Sequence, residues 1–186
     1  MNWEFTLREL ISIWVVVDPI GTIPVFSAVT AGLSAANQRL IAYKSVCIAT
    51  LILLFFIVAG QRLIEAMNIH LEAFQLAGGI VLFIFAMTMI FGEGKPAREK
   101  EEIDGAASHL AVFPLAVPSL ASPGAMLAVV MLTDNNRFSV MQQAATVGVM
   151  LGVMLCTLVL LLLASPIHRL IGEGGASVIS RVMGLI

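Results

Sequence analysis

Long apolar runs, separated by short polar turns, make up most of this chain. Five of the runs reach roughly 20 residues, the length that a helix needs to cross a lipid bilayer, and a sixth begins near residue 176. The five runs are residues 7–29, 41–64, 71–92, 110–132 and 139–164. This pattern predicts an all-α integral membrane protein with six transmembrane helices.

The composition agrees with a membrane protein and excludes several other classes. Of the 186 residues, 59% are hydrophobic and 12% are charged, whereas soluble domains are about half apolar and a quarter charged. The basic residues are scattered, so no nucleic-acid partner is expected. Cys47 and Cys156 lie inside apolar runs without metal-ligand spacing. We expect no cofactor, no metal and no enzymatic activity.

A charged segment at residues 93–109 divides the chain into two halves, residues 1–92 and 110–186. Shifting the sequence by 104 residues lays DPIG (18–21) over SPGA (122–125), so that Pro19 falls on Pro123. Three spans per half is an odd number, so the second copy must enter the membrane from the opposite side. The sequence predicts two inverted three-helix repeats, as in many secondary transporters.

The distribution of Lys and Arg predicts the orientation, because loops on the cytoplasmic side are enriched in these residues. The loops after the first, third and fifth spans carry six of them, and the opposite side carries three. We therefore expect the N-terminus outside, in the periplasm, and segment 93–109 to be a cytoplasmic linker.

Both halves carry helix-breaking residues in their first apolar run. Residues 14–26 read WVVVDPIGTIPVF, and residues 113–126 read FPLAVPSLASPGAM. Proline removes a backbone donor and frees a carbonyl, which a membrane tolerates only where protein or a water-filled cavity satisfies it. We expect the first and fourth helices to be broken, with both breaks facing the protein interior.

Asp18 is the candidate for a titratable site, because it lies roughly 16 Å into its span, near the bilayer midplane. An ionisable residue at that depth is by default a functional candidate. Two alternatives stay open: Asp18 caps the following half-helix and does nothing else, or it binds substrate or a proton as well. Its counterpart Ser122 can cap but cannot titrate, which favours Asp18 for coupling.

Polar and helix-breaking residues around the two breaks complete the predicted substrate or ion site. A half-helix N-terminus attracts a carboxylate, and freed carbonyls attract a cation. The predicted site residues are Asp18, Pro19, Gly21, Thr22, Ser119, Ser122, Pro123 and Gly124.

Four motifs in order resemble the MarC family of membrane proteins, named after multiple antibiotic resistance. They are DPIGTIPVF, GGIVLFIFAMTMIFG, PLAVPSLASPGA and GEGGASVISRVMGLI. The resemblance implies six spans in a bacterial inner membrane and kinship with lysine-exporter-type transporters, whose members are proposed to move small neutral amino acids. Thr22 and Ser122 stand where the family usually has Asn and Gly, so the substrate stays open.

The last apolar run is short for a membrane span. Eleven residues follow Gly175, fewer than the roughly 17 that a crossing helix needs. Two alternatives stay open: the sequence is truncated after Ile186, which we favour, or the last helix stops within the membrane.

These observations predict a secondary transporter of a small solute, working by alternating access at a midplane site between the breaks. The expected partners are the lipid bilayer, the solute and a coupling H⁺ or Na⁺, with oligomerisation left open. Two alternatives are a non-transporting scaffold or assembly protein and an intramembrane thiol-redox enzyme. The second is disfavoured because Asp18 and Ser122 occupy the places where such enzymes carry cysteine.

Overall fold

The computed structural model describes residues 3–66 apart from residue 31, scattered single positions between 68 and 87, and residues 107–164. Their regular structure is entirely helical. The predicted third and sixth spans and nearly all of linker 93–109 lie outside the continuously described ranges.

Six helices and one kinked segment form the described part of the fold. The kinked segment has wide helical turns and connects the short helix before it to the apolar helix after it. In chain order the elements are α1 (Trp3–Val17), α2 (Thr22–Val29), α3 (Ala35–Ala66), α4 (Ala107–Leu110), the kinked segment (Ala111–Leu120), α5 (Pro123–Leu132) and α6 (Val140–Leu162).

Three helical stretches in the described residues are long and apolar enough to cross a membrane: Thr6–Ser27, Ala35–Leu63 and Val140–Leu162. The kinked segment and α5 bend by 54° at their junction and make a fourth crossing if counted as one span. These four correspond to the predicted first, second, fourth and fifth spans. Helix α3 begins six residues before the predicted apolar run, because a helix can continue beyond the hydrocarbon layer.

Large apolar side chains cover the outer faces of the long helices. Leu51, Phe55 and Val58 on α3 are 60%, 54% and 70% exposed, and Leu155 on α6 is 61% exposed. Contiguous exposed apolar surface is uncommon on soluble monomers, but in a bilayer these faces contact lipid. The chain is therefore an integral membrane protein.

The core lies where α1 and α3 pack against the kinked segment, α5 and α6. Gly60 permits a close helix contact there, because a Cβ atom at this position would overlap a methyl group of Val130 on α5. The largest fully buried apolar side chains are Ile13, Ile41, Leu53, Leu115, Leu120, Met150, Met154 and Leu161.

Two contacts give the relative directions of the long helices. The side-chain oxygen of Gln61, near the end of α3, accepts a hydrogen bond from the Asn135 backbone N–H just after α5, at 2.8 Å. Glu9, in the second turn of α1, contacts Thr146, in the second turn of α6. Helices α1 and α6 therefore begin at one end of the molecule, where α3 and α5 end. This is the relationship predicted for spans one, two, four and five.

Candidate substrate site at the two helix breaks

The first break separates α1 from α2 and is organised by Asp18. Its backbone N–H still bonds to the Trp14 carbonyl at 3.0 Å, but the following residue, Pro19, has no N–H to continue the helix. Asp18 takes a left-handed backbone conformation with φ 48°. Its carboxylate oxygen Oδ1 then accepts a hydrogen bond from the Gly21 N–H at 2.9 Å, which caps the chain entering α2.

Glycine is required at position 21 by the approach of this carboxylate. A Cβ atom there would lie 2.6 Å from Cγ of Asp18 and would overlap one carboxylate oxygen. The capping interaction between residues 18 and 21 therefore needs both residue types. The Asp18 carboxylate thus closes the turn that leads into α2, and both the capping role and a binding role of Asp18 remain proposals.

The second break separates the kinked segment from α5 and repeats the hydrogen bond of the first break on a different backbone conformation. Ser122 is extended, with φ −70° and ψ 157°, and its hydroxyl Oγ accepts a hydrogen bond from the Ala125 N–H at 3.0 Å. Pro123 follows in the first turn of α5, a position where its missing N–H costs nothing. Both breaks thus have a side-chain oxygen bonded to the N–H three residues later, at positions 104 residues apart.

The kinked segment has its own interruptions before two prolines. Phe113 and Val117 are extended, with φ near −130° and ψ near 127°, because a following proline disfavours the helical conformation. The peptide bonds to Pro114 and Pro118 are cis. The prediction that the fourth span is broken is confirmed, and its interruptions extend from residue 113 to residue 122.

The two breaks touch each other through side-chain hydroxyls. Thr22 Oγ1 donates to the Asp18 carbonyl at 3.0 Å, and it lies 3.2 Å from Ser119 Oγ. Because the single Thr22 proton is used on Asp18, Ser119 is the donor in the second contact. Ser122 Oγ donates to the carbonyl of Val16 at 3.4 Å, which forms a second link between the halves.

Most of the predicted site residues are buried together. Asp18, Thr22, Ser119 and Ser122 are at most 2% exposed, and Pro19, Gly21 and Gly124 are buried as well. Pro123 is exposed, so it shapes the start of α5 but does not line the buried cluster. We call Asp18, Gly21, Thr22, Ser119 and Ser122 the paired breaks.

The paired breaks offer oxygen atoms in an apolar setting. The chain neighbours Val17, Leu120 and Ala121 are fully buried, and the sequence from residue 9 to residue 38 contains no Lys or Arg. A carboxylate, three hydroxyls and the carbonyls of Val16 and Asp18 can bind a proton, a small cation or the ammonium group of a small solute. The paired breaks contain no cysteine, and Cys47 and Cys156 lie on exposed helix faces.

Glu9 is one of several buried polar residues that could not be singled out from the sequence. Glu9 is 1% exposed, and its carboxyl group is hydrogen-bonded to the hydroxyl of Thr146. Its position beside Arg8 at the start of the first span is typical of a solvent-exposed helix end. The spacing of Glu9, Ile13 and Val17 would have placed it on the buried stripe of α1.

Comparison with known proteins agrees with the resemblance seen in the motifs. Residues 3–186 match the MarC family model, described as MarC family integral membrane protein. The chain is 33% identical over 190 residues to the UPF0056 inner membrane protein YhgN of Escherichia coli (strain K12), covering 97% of this chain and 90% of that protein.

Two other relatives come from an archaeal and a bacterial source, as their organism names indicate. A UPF0056 membrane protein of Methanocaldococcus jannaschii is 31% identical over 195 residues, covering 100% of this chain and 91% of that protein. One of Buchnera aphidicola subsp. Schizaphis graminum is 30% identical over 184 residues, covering 97% and 90%. No solved structure matches the chain. The match over nearly its whole length shows that this chain belongs to the MarC family of integral membrane proteins.

Proposed function

We propose that this chain is a secondary transporter of a small polar solute, which binds at the paired breaks. The observation that carries the proposal is the direct hydrogen bonding between the two breaks, Thr22 with Ser119 and Ser122 with Val16. Polar broken backbone in a membrane needs a partner inside the protein or a water-filled cavity. Here side-chain hydroxyls of the two breaks bond to each other and to the backbone carbonyl of Val16, so part of the polar surface of each break is satisfied by the other.

The depth of Asp18 supports a site at the membrane midplane. It lies 12 residues after Thr6 in the stretch Thr6–Ser27, which is about 18 Å along a helix whose full length is about 33 Å. Substrate sites of secondary transporters lie at this depth, between discontinuous helices. A solute bound there is equally far from both membrane surfaces, as alternating access requires.

The repeated cap supports an inverted-repeat architecture with six spans. Asp18 to Gly21 and Ser122 to Ala125 make the same hydrogen bond at the shift of 104 residues that aligns the two halves. Helix α1 begins at the end of the molecule where α5 finishes, so the first and fourth spans run in opposite directions. An axis in the membrane plane relates such helices, whereas an axis along the membrane normal does not.

The difference between the two breaks supports ion coupling through Asp18. The two breaks share the same side-chain hydrogen bond, but only the first carries a group that can gain or lose a proton. We propose H⁺ or Na⁺ as the coupling ion. With the N-terminus outside, as the Lys and Arg distribution favours, the chain would cross a bacterial inner membrane, the location given in the name of its relative YhgN.

Small neutral amino acids are the proposed solute class. Their ammonium group suits the Asp18 carboxylate and the hydroxyl oxygen of Ser119, and their carboxylate suits the positive N-terminal ends of α2 and α5. The family resemblance points to the same class.

Flux measurements in proteoliposomes test this function. Purified protein would be reconstituted, and uptake of labelled glycine and alanine measured with no gradient, with a pH gradient and with a Na⁺ gradient. We expect uptake above that of protein-free liposomes, increased by one of the gradients. Folded, reconstituted protein that moves neither solute under any of these conditions would contradict the proposal.

A further inference from the structure

Glu9 and Thr146 form a second buried polar contact, which the paired breaks do not use. Glu9 lies on α1, inside the span that begins at Thr6, and Thr146 lies on α6. They are 1% and 0% exposed. Oxygen Oε2 of Glu9 is buried and has no hydrogen-bond partner among the described residues. The structure must therefore either balance a negative charge on this carboxyl group or keep the group protonated.

Among the residues that the structure describes, the elements packed against α1 carry no positive charge that balances this carboxyl group. Helix α1 packs against α5 and α6. Helix α5 has no titratable residue, and α6 has only Cys156, on an exposed face. The charged neighbours of Glu9 on α1, Glu4 and Arg8, are exposed.

The loop between α5 and α6 does not supply the missing charge either. Its acidic and basic residues, Asp134 and Arg137, are paired with each other at 3.5 Å. A buried carboxylate without a cationic partner is costly and is usually found neutral instead.

Counting the available protons gives the same answer from geometry. The Thr146 hydroxyl lies between two oxygen acceptors, a carboxyl oxygen of Glu9 and the Gln142 carbonyl at 3.1 Å. One hydroxyl proton can serve only one of these contacts fully. If Glu9 carries a proton, it donates to Thr146, which then donates to Gln142. Both contacts become ordinary hydrogen bonds.

We propose that Glu9 and Thr146 form a proton-binding site at the contact between α1 and α6. The ligand is a single proton, held on Glu9 at neutral pH and donated to the Thr146 hydroxyl. The site joins the two halves of the chain at the end where α1 and α6 begin. It does not depend on the paired breaks binding a solute.

Infrared spectroscopy of the protein in lipid nanodiscs at neutral pH tests the proton directly. We expect the parent to have a protonated carboxylic-acid C=O band that Glu9→Gln lacks and that the matched control Glu4→Gln retains. Glutamine can donate to Thr146 in the same geometry, so this variant should fold. In Thr146→Val the band should remain but move in frequency, because the acid loses its hydrogen-bond acceptor. A Glu9→Gln spectrum that loses carboxylate bands instead would overturn the proposal.

Labelling with dicyclohexylcarbodiimide provides a test that needs no substitution. The acidic proton of a carboxylic acid adds to one nitrogen of this apolar reagent and its carboxyl oxygen to the central carbon, and the acyl group then moves to the other nitrogen as a stable N-acylurea. At neutral pH we expect the adduct on Glu9 and not on exposed Glu4, as located by mass spectrometry. Labelling of Glu4 without Glu9, in protein that also lacks the infrared band assigned to Glu9, would overturn the proposal.

Discussion

Thr22 and Ser119 are 97 residues apart in the chain, and their hydroxyl oxygens lie 3.2 Å apart between the two helix breaks. Each residue belongs to a different half of the sequence. The two hydroxyl groups could not bond to each other if the breaks faced lipid or lay at different depths in the membrane. This contact therefore shows that two motifs far apart in the sequence meet in one buried cluster.

Removal of either hydroxyl should weaken this link, and removal of both should cost little more than removal of one. We expect Thr22→Val and Ser119→Ala to be coupled by about 0.5–1.5 kcal/mol, the net value of one buried hydrogen bond. Thermal unfolding of the two single variants and the double variant in detergent gives the coupling. Fully additive effects would mean that the two hydroxyls do not bond in the folded protein.

Ser122 should matter for both stability and transport, because it caps α5 and also bonds to the carbonyl of Val16. Loss of an N-cap costs about 0.5–2 kcal/mol, so Ser122→Ala should lower stability by that amount and reduce solute flux. Ser139→Ala is the matched control, since Ser139 caps α6 with a capping box at an exposed site. It should lower stability similarly and leave flux per folded molecule unchanged. Equal flux in both variants would count against a role for Ser122 at the site.

The orientation can be tested with two new cysteines in a background lacking Cys47 and Cys156. Ala36 is exposed at the start of α3, and Asn136 is exposed in the loop between α5 and α6. With the N-terminus outside, Asn136→Cys should react with a membrane-impermeant thiol reagent in intact cells, and Ala36→Cys should react only after lysis. The opposite result would invert the proposed topology.

The helix breaks could be predicted from sequence because their causes are local. A proline removes a backbone N–H donor and restricts the conformation of the residue before it. Pro19, Pro114 and Pro118 therefore interrupt a helix independently of the tertiary packing. The pairing of the two breaks could also be anticipated, since the shift that aligns Pro19 with Pro123 aligns Asp18 with Ser122. The exposure of Pro123 could not be predicted from the sequence, because it depends on how α5 is rotated against its neighbours.

Glu9 illustrates what local patterns leave out. A glutamate beside an arginine near the start of an apolar run is typical of a helix end in water or among lipid headgroups. Its burial depends on Thr146, which lies 137 residues further along the chain, and on α6 running in the same direction as α1. Contacts of this range depend on how the helices assemble, which no single segment of the sequence determines.

We propose that Asp18 couples solute movement to an ion, in addition to accepting the hydrogen bond from the Gly21 N–H. Asp18→Asn is the suitable variant, because Asn tolerates the left-handed backbone at this position and its amide oxygen can still accept from the Gly21 N–H. Asp18→Ala would lose the cap and add backbone strain, so its failure would be uninformative. The asparagine variant should therefore insert and fold like the parent.

The decisive measurement compares the parent with Asp18→Asn in the same proteoliposomes, using a labelled solute that the parent transports. Exchange between equal concentrations on both sides is measured first, and accumulation driven by the gradient that drives the parent is measured second. We expect the variant to keep exchange and to lose accumulation. A variant that accumulates solute as well as the parent would contradict this expectation and leave Asp18 as a cap alone.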